Sequence, residues 1–528
     1  MSKTLKGSNV IFLNNHEKDY LFQDFMNDEL NNDLNKYLPY SLPNESDGLN
    51  LIKDFIDNKR KIGIVGDFDV DGSCATSMLI RYLKLQEANF CYYTPNRMKD
   101  GYGISPKIVH LLKDQGVELV VTLDNGTTAF EAIDAINEAN MKSIVIDHHT
   151  IGSQLPKTVL INPHLNVNNG VFRDLCATGV LFIFLCKLNN MMPIKVKMKS
   201  FLDLVAIATV CDVMPMRNIN KALVSMGLKE MNSNLRFCFK IILLNNLSNI
   251  TTETIGFYLG PFINAPGRMG NSDSSIQLMT TDDEKQVIEL CQQVIEYNRI
   301  RKSIEKEIMV SINNLKHDKK SIFLANKWHE GVIGIVSGKL KETNGKPTCI
   351  MSVISDDVVK GSMRAPDTFH VGNFIKEAIS RGLVKYGGGH NCAGGFTTSH
   401  DKLSELSEFL ESSVLVEYEP SIKVFSLLSL HAINDEFMKS LSDFGPYGPS
   451  HEHPLFMFPN CRISDVYLFN NHMSVFISNM FIKFKSFIFN VDTNPLYNIK
   501  NLEYANVIGY PYMSGKQICM RVVDVIKI

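Results

Sequence analysis

The sequence predicts an α/β protein built from a doubly wound parallel-sheet domain, a long linking helix, a second α/β domain and a C-terminal β-barrel. Three observations predict this. First, the apolar runs KIGIVGDFD, VELVVTLDNG, MKSIVIDHH and LVAIATVCD alternate with amphipathic stretches between residue 60 and about residue 215. Continuous Val/Ile/Leu runs of that length suit strands buried on both faces, and strand–helix alternation suits a parallel sheet covered on both sides. Second, the stretch 281–315 is polar, opens on an acidic turn and carries Lys and Arg further on, as the dipole of one long helix favours. Third, residues 421–528 are rich in Phe, Val, Ile and Tyr in short runs, the pattern of a small barrel.

Taken in order, residues 1–50 are polar and Asn/Asp-rich and read as an N-terminal cap on the first α/β domain. Residues 51–280 form that domain. After the Gly72–Ser73 turn, Ala75, Met78, Leu79 and Leu83 share one helix face. Residues 221–280 read as mostly helical, with GPFINAPGRMG as a loop. The linking helix occupies 281–319. The second α/β domain, 320–420, has strand-like runs at SIFLA and TCIMSVI and a glycine cluster, YGGGHNCAGGF. In the barrel, 421–528, the strands are expected at RISDVYLF, HMSVFIS, FKSFIFNV and ICMRVVDVIKI. Phe476, Phe481 and Phe484 are expected to fill it rather than to stack on bases.

At roughly 150 residues per domain, 528 residues hold three or four domains. The net charge of −2 does not mark a nucleic-acid binder, but a local basic channel would be hidden in that sum. Basic clusters stand at Lys59–Arg60–Lys61, Lys195–Lys197–Lys199 and Arg299–Arg301–Lys302. Most such runs are solvated faces. Arg299 and Arg301 lie on the linking helix, where a nucleic-acid groove between domains would run. Eleven cysteines without a CxxC pair read as a reduced set of small buried side chains and speak against zinc. No run of eighteen apolar residues and no signal-type N-terminus occurs, so no membrane span and a cytoplasmic location are expected.

The acids carry the chemistry. Asp67, Asp69 and Asp71 follow KIGIV; Asp124 follows LVVTL; Asp147, His148 and His149 follow SIVI; Asp212 follows AIATVC. Each group stands just past an expected strand, and ligands of open α/β sheets bind at the carboxyl ends of the strands. Singly, an Asp there serves as a helix cap or turn former. Together, six carboxylates would share one pocket. Two like charges ~4 Å apart repel by about 4 kcal/mol at an effective dielectric of 20, so cations must fill the site or protons must. Carboxylates mixed with imidazoles suit manganese or magnesium, and two such ions suit phosphate-ester hydrolysis.

GDFDVDG, LDNG, DHH and CDVMP, in that order, resemble the motifs of the DHH phosphoesterase superfamily, and GGGHNCAGG resembles the signature of its DHH-associated domain. GPFINAPGRMG, WHEGVIGIVSGKL and GSMRAP resemble the RecJ family of single-strand exonucleases, from about residue 60 to 400 and more weakly beyond. FGPYGPSHEHPLF departs from that family's Gly-Asn-Pro stretch at Tyr447, Pro449, Ser450 and His451. The resemblance implies two divalent ions, manganese or magnesium, held by Asp67, Asp69, Asp71, Asp124, His148 and Asp212, with Asp124 bridging. It implies that Asp147 supports or joins the site and that His149 faces the scissile phosphate. It further implies 5′-to-3′ cleavage of single-stranded DNA to mononucleotides, in repair and recombination, beside a helicase or single-strand-binding protein.

The substrate side can be argued from residue types. Gly387, Gly388 and Gly389 let backbone approach a phosphate, and His390 can donate to it. Arg364 and Arg268 offer planar, two-point phosphate contacts. Trp328, the single tryptophan, reads as a core or interface residue. Two other readings share these motifs: a phosphodiesterase of short RNA or cyclic dinucleotides, and a non-catalytic DNA-binding scaffold. The large C-terminal module speaks against the first, and the full set of ligands against the second.

Overall fold

A computed structural model describes residues 3–15, 17–18, 34–165, 170–244, 249–312, 319–415, 420–469, 472–489, 491 and 495–528. Residues 19–33 of the expected cap and 313–318 of the expected linking segment lie outside them. The chain divides into two compact units. One comprises Tyr20–Arg299 with Ser442–His453, the other Met1–Asp19, Ile300–Leu441 and Pro454–Ile528.

The first unit is built on five strands: β1 (Ile62–Gly66), β2 (Phe90–Tyr93), β3 (Leu119–Leu123), β4 (Lys142–Ile146) and β5 (Val159–Ile161). Their order is β2-β1-β3-β4-β5, all parallel. Every residue of β1 and β3 is buried, because both faces of the sheet are covered. Ile62, Ile64, Leu119, Val121 and Ile144 pack on one face against α1 (Glu45–Asp57), α2 (Val70–Leu85) and α5 (Ala177–Met191). Val65, Val120 and Val145 point the other way, against α3 (Pro106–Asp114) and α4 (Phe130–Glu138). Period-two alternation of side chains divides one apolar run between two cores. The strand order reverses between β1 and β3. The loops leaving these strands diverge there and open the crevice in which such sheets bind ligands.

Two local readings need correction. LVAIATVC is not a strand but helix α6 (Leu202–Cys211), whose residues Leu202 to Thr209 are all buried. A helix buried all round is apolar all round, and it lacks the polar stripe that separates it from a buried strand. GPFINAPGRMG is not a loop: Gly260–Arg268 form a helix, α8, with Pro266 inside it. It continues directly from a π-helical turn, α7 (Ile255–Leu259). The long polar stretch is one helix, α9 (Glu284–Ile312), of 29 residues.

In the second unit a mixed sheet of β6 (Ile322–Asn326), β7 (Thr348–Val353), β8 (Val359–Arg364), β9 (Tyr386–Gly389) and β10 (Ala393–Thr398) runs in the order β9-β10-β8-β7-β6. A closed barrel comes next: β11 (Phe456–Phe469), β12 (His472–Ser478), β13 (Lys483–Phe489), β14 (Tyr504–Ser514) and β15 (Gln517–Lys527). Closure runs β11-β12-β13-β15-β14 and back to β11. Met473, Val475, Ile477, Phe484, Ile488, Val507 and Met520 form its core. Phe484 fills the barrel as expected. Phe476 stands half-buried on the outer face beneath Lys483, and Phe481 is exposed, so these two do not. Strand β14 is not among the expected strands; it carries Gly509 and Pro511, residue types that strand interiors disfavour. Gly509 marks a register shift, where a Cβ would lie 2.1 Å from the Arg521 carbonyl oxygen.

Residues 1–50 are not a single cap. Asn9–Phe12 pairs in parallel with Ser421–Val424, and Thr4 Oγ1 donates to Asp524 Oδ2 at 2.6 Å, both within the second unit. Partners that far apart in the chain leave no local sequence signal. Nor does the barrel begin at residue 421: residues 442–453 pack within the first unit. There Pro449 O accepts from Met216 N at 2.6 Å, and His451 Nε2 lies 3.3 Å from Lys221 Nζ.

Candidate metal centre

Three strand ends and one helix end supply the site. Asp67 follows β1 directly and is 2% exposed. Two residues on, Asp69 caps α2 by accepting from Gly72 N at 3.1 Å, so the structural role open to such an acid is in use. Asp71, in the first turn of α2, accepts from Ala177 N (2.7 Å) and Thr178 N (2.8 Å) at the start of α5. Asp124 ends β3 with φ of 61°, a left-handed conformation that costs a non-glycine residue of order 1–3 kcal/mol and that clusters at functional sites. Asp212 is the C-cap of α6. It reaches the site from a helix end rather than the strand end expected.

These side chains converge. His148 Nε2 lies 3.3 Å from Asp124 Oδ1, 3.5 Å from Asp212 Oδ2 and 3.8 Å from Asp71 Oδ2. Three overlapping groups have ligand atoms all within 4.8 Å of one another: Asp67–Asp69–Asp124, Asp71–His148–Asp212, and Asp124–His148–His149. Asp124 and His148 each occur in two of them. Asp147 has another role. Its Oδ1 accepts from His148 N (2.8 Å), His149 N (3.2 Å) and His149 Nδ1 (2.7 Å), and its Oδ2 from Thr127 N (3.0 Å). Both oxygens of Asp147 are thus engaged, Oδ1 by the two histidines.

The electrostatics fit a cation-binding pocket. Burial, then the Asp69 charge, raises Asp67 well above the carboxylate range; burial, then Asp71 and Asp69, raises Asp124 likewise. Burial and the Asp71 and Asp69 charges push Asp212 up to about 9. Asp147 is held low: its burial opposes ionisation, but the hydrogen bond and charge of His149 outweigh it. Burial alone would lower His149, yet the Asp147 carboxylate raises it to about 9. Asp67 Oδ1 and Asp124 Oδ1 are buried without a hydrogen-bond partner, although His148 Nε2 stands near the latter. Each such orphan costs about 1–3 kcal/mol, more when charged. Manganese or magnesium bound to these oxygens would remove that cost, and the donor set, carboxylates with one or two imidazoles, suits either ion.

The remaining expected residues lie outside this cluster. Arg268 ends α8, and at the preceding Gly267 a Cβ would lie 2.5 Å from Phe68 O, which places this helix end against the Asp67–Asp69 loop. Arg364, Gly388, Gly389 and His390 belong to the second unit and gather there: Arg364 is in register with Ala393, and His390 N donates to Ala393 O at 2.8 Å. The glycines differ. A Cβ would lie 2.6 Å from Phe396 Cβ at Gly387 and 2.5 Å from Ala393 O at Gly389, whereas Gly388 faces open space. Close packing of β9 on β10 explains the outer two, whereas packing does not require a glycine at the middle one. Arg299 is exposed and paired with Glu296 at 2.6 Å. Arg301, by contrast with the expectation, is buried and bonded to Glu305 at 3.0 Å, which speaks against a nucleic-acid contact. Trp328 is half-buried.

Three further residues stand at the centre. Arg97 lies over the Phe68 ring at 5.2 Å, and its charge bears on Asp67. Asn125 is 1% exposed; it donates to Val65 O and Leu123 O and accepts from Ile104 N, tying together β1, β3 and the loop before α3. Tyr102 bonds to both Asp124 and His149.

Models of three families match the chain in order: the DHH family N-terminal domain over residues 61–209, the DHHA1 domain over 298–415 and the RecJ OB domain over 426–515. The chain is a RecJ-like member of the DHH family. It is 27% identical over 449 residues to the single-stranded-DNA-specific exonuclease RecJ of Bacillus subtilis, with 82% of this chain and 56% of the relative covered. The Escherichia coli protein of the same name is 28% identical, with 75% and 74% covered. This RecJ-like chain thus spans little more than half of the first relative's length. The crystal structure of RecJ in complex with Mn2+ from Thermus thermophilus shares the fold, with a TM-score of 0.79 at 20% identity, covering 93% of this chain and 72% of that one. Among the described residues no helix is long and apolar enough to cross a membrane.

Proposed function

We propose that the chain is a metal-dependent exonuclease that hydrolyses phosphodiester bonds of single-stranded DNA from the 5′ end and releases mononucleotides. The observation that carries this reading is the pair of acid clusters, Asp67–Asp69–Asp124 and Asp71–His148–Asp212, with Asp124 lying 3.3 Å from His148 between them. Asp67, Asp69 and Asp124 would hold one divalent ion, Asp71, His148 and Asp212 the other, and Asp124 would serve both. Bound there, manganese or magnesium supplies Lewis acidity, lowering the pKa of water and offsetting charge on the phosphate oxygens.

The chain's own groups do the rest. Asp147 holds His149 by Nδ1 and favours its cationic form, which sets positive charge beside the phosphate. Arg97, over the Phe68 ring, and Arg268, which follows the Gly267 that packs on the Phe68 carbonyl, would add donors for phosphate oxygens. Water attacks the phosphorus, the bond to the leaving oxygen of the terminal nucleotide breaks, and that oxygen departs with a proton. Gly388, His390 and Arg364 would bind phosphates of the strand. The barrel would bind bases and backbone, with Phe476, Phe487 and Phe489 beside Lys483, Lys485 and Arg521 as a stacking surface. Relatives named as single-strand exonucleases favour DNA over short RNA. Repair and recombination in the cytoplasm, beside a helicase or single-strand-binding protein, is the setting this activity suits.

The test is a time course on a 5′-labelled single-stranded oligonucleotide with added manganese, with a chelator control and Asp124→Ala. Prompt release of labelled mononucleotide by the wild type alone is expected. Equal behaviour of wild type and variant would overturn the proposal, and release from a dinucleotide alone would move the substrate to short nucleic acid.

A further inference from the structure

Tyr102 sits in the loop Asp100–Gly103, between Gly101 (φ 83°) and Gly103 (φ 70°). The residue is 56% exposed, but its hydroxyl turns inward. There it donates to the Asp124 carbonyl oxygen at 3.1 Å and meets His149 Nε2 at 3.2 Å. Its ring stands edge-on to Phe68 at 6.3 Å, in the middle of the Asp67–Asp69 loop. One exposed side chain therefore touches three segments that bear the acids and imidazoles of the centre. Two of the contacts bear on the geometry of the centre. Asp124 stands in a left-handed conformation, and the Tyr102 hydroxyl holds its carbonyl oxygen. His149 is gripped by Asp147 at Nδ1, and Tyr102 fixes the other nitrogen, so that the ring cannot turn about its bond.

The loop is itself anchored: Asn125 Oδ1 accepts from Ile104 N at 3.1 Å, and a Cβ at Gly103 would lie 3.2 Å from Asn125 Cβ. The tyrosine is thus delivered to Asp124 by the residue next to Asp124 in the chain. An exposed aromatic residue on a glycine-flanked loop has no packing reason to aim its polar end into a pocket of carboxylates.

Resting on the metal-centre reading above, we propose that Tyr102 is a positioning residue: its hydroxyl fixes the backbone of the shared ligand Asp124 and the ring of His149, and so sets metal affinity and turnover without holding the strand. Groups that orient metal ligands from outside the coordination sphere change affinity or activity by roughly 10–100-fold when removed.

The experiment uses the full chain and Tyr102→Phe, which keeps the ring and its edge contact with Phe68. Manganese affinity is measured directly by calorimetry on metal-stripped protein, and kcat and KM on a labelled single-stranded oligonucleotide. Manganese binding about tenfold weaker or kcat down by roughly 10–100-fold is expected, with KM within about threefold and an unchanged melting temperature without metal. A merely structural tyrosine would shift the melting temperature and leave the kcat-to-KM split alone. Wild-type manganese affinity together with wild-type kcat in Tyr102→Phe would overturn the inference, as would a rise in KM alone. If the wild type binds manganese but cleaves no oligonucleotide, the nuclease reading fails, and manganese affinity still decides the role of Tyr102.

Discussion

Replacing Asp124 by Asn keeps the shape of the residue and removes the ligand shared by two of the three groups at the centre. Metal that binds only the folded protein stabilises it by RT ln(1 + [L]/Kd), about 2.7 kcal/mol at a manganese concentration of roughly 100 Kd. For a unit of this size, about 2–4 °C per kcal/mol, that is a rise in melting temperature of roughly 5–10 °C. Loss of a carboxylate that both clusters need should weaken binding by about 100-fold or more, which lowers the same term to about 0.4 kcal/mol, or roughly 1 °C. The assay is thermal unfolding of metal-stripped wild type and Asp124→Asn, each with and without manganese at one fixed concentration. It reads the site without any substrate. A shift as large in the variant as in the wild type would refute the assignment of Asp124, and no shift in either protein would refute the site.

Other perturbations test the frame around it. Gly267→Ala places a Cβ 2.5 Å from the Phe68 carbonyl, backbone that cannot yield cheaply, so a loss of about 1–3 kcal/mol in denaturant unfolding and weaker manganese binding are expected. Asn125→Ala removes one hydrogen bond each from Val65 O, Leu123 O and Ile104 N, although Leu123 O keeps Asp67 N, and should cost about 1–3 kcal/mol, measured in the same way. Arg301→Ala should destabilise by about 2 kcal/mol, because it strips a buried partner from Glu305 and leaves it the half-exposed Lys339. Exposed Arg299→Ala should leave stability unchanged; if Arg299 touches DNA, the slope of log binding constant against log salt should flatten by about 0.7.

Much of the site could be read without coordinates because strand ends announce themselves. The runs before Asp67, Asp124 and Asp147 are β-branched and continuous, and an acid just past such a run must lie at the carboxyl edge of a parallel sheet. The same reasoning reached Asp212 for a wrong reason: its apolar run is a buried helix, which brings its C-cap to the same place. It failed for Arg301, whose burial depends on what packs over one face of α9. It missed Tyr102, since hydrogen bonds to backbone leave no periodicity.

The sequence by itself determined the order of domains, the parallel sheet and the list of acids, because local propensity and hydrophobic period are properties of contiguous residues. Only the tertiary structure grouped Asp67 and Asp69 with Asp124, and Asp71 with His148 and Asp212, and set Asp147 against His148 and His149. It alone joined Asn9–Phe12 to Ser421–Val424 and closed β14 into the barrel. The physical reason is one of range. A strand or helix is specified by neighbours a few residues away, whereas a ligand set is specified by distances of 3–4 Å between side chains that the chain brings together only when it packs.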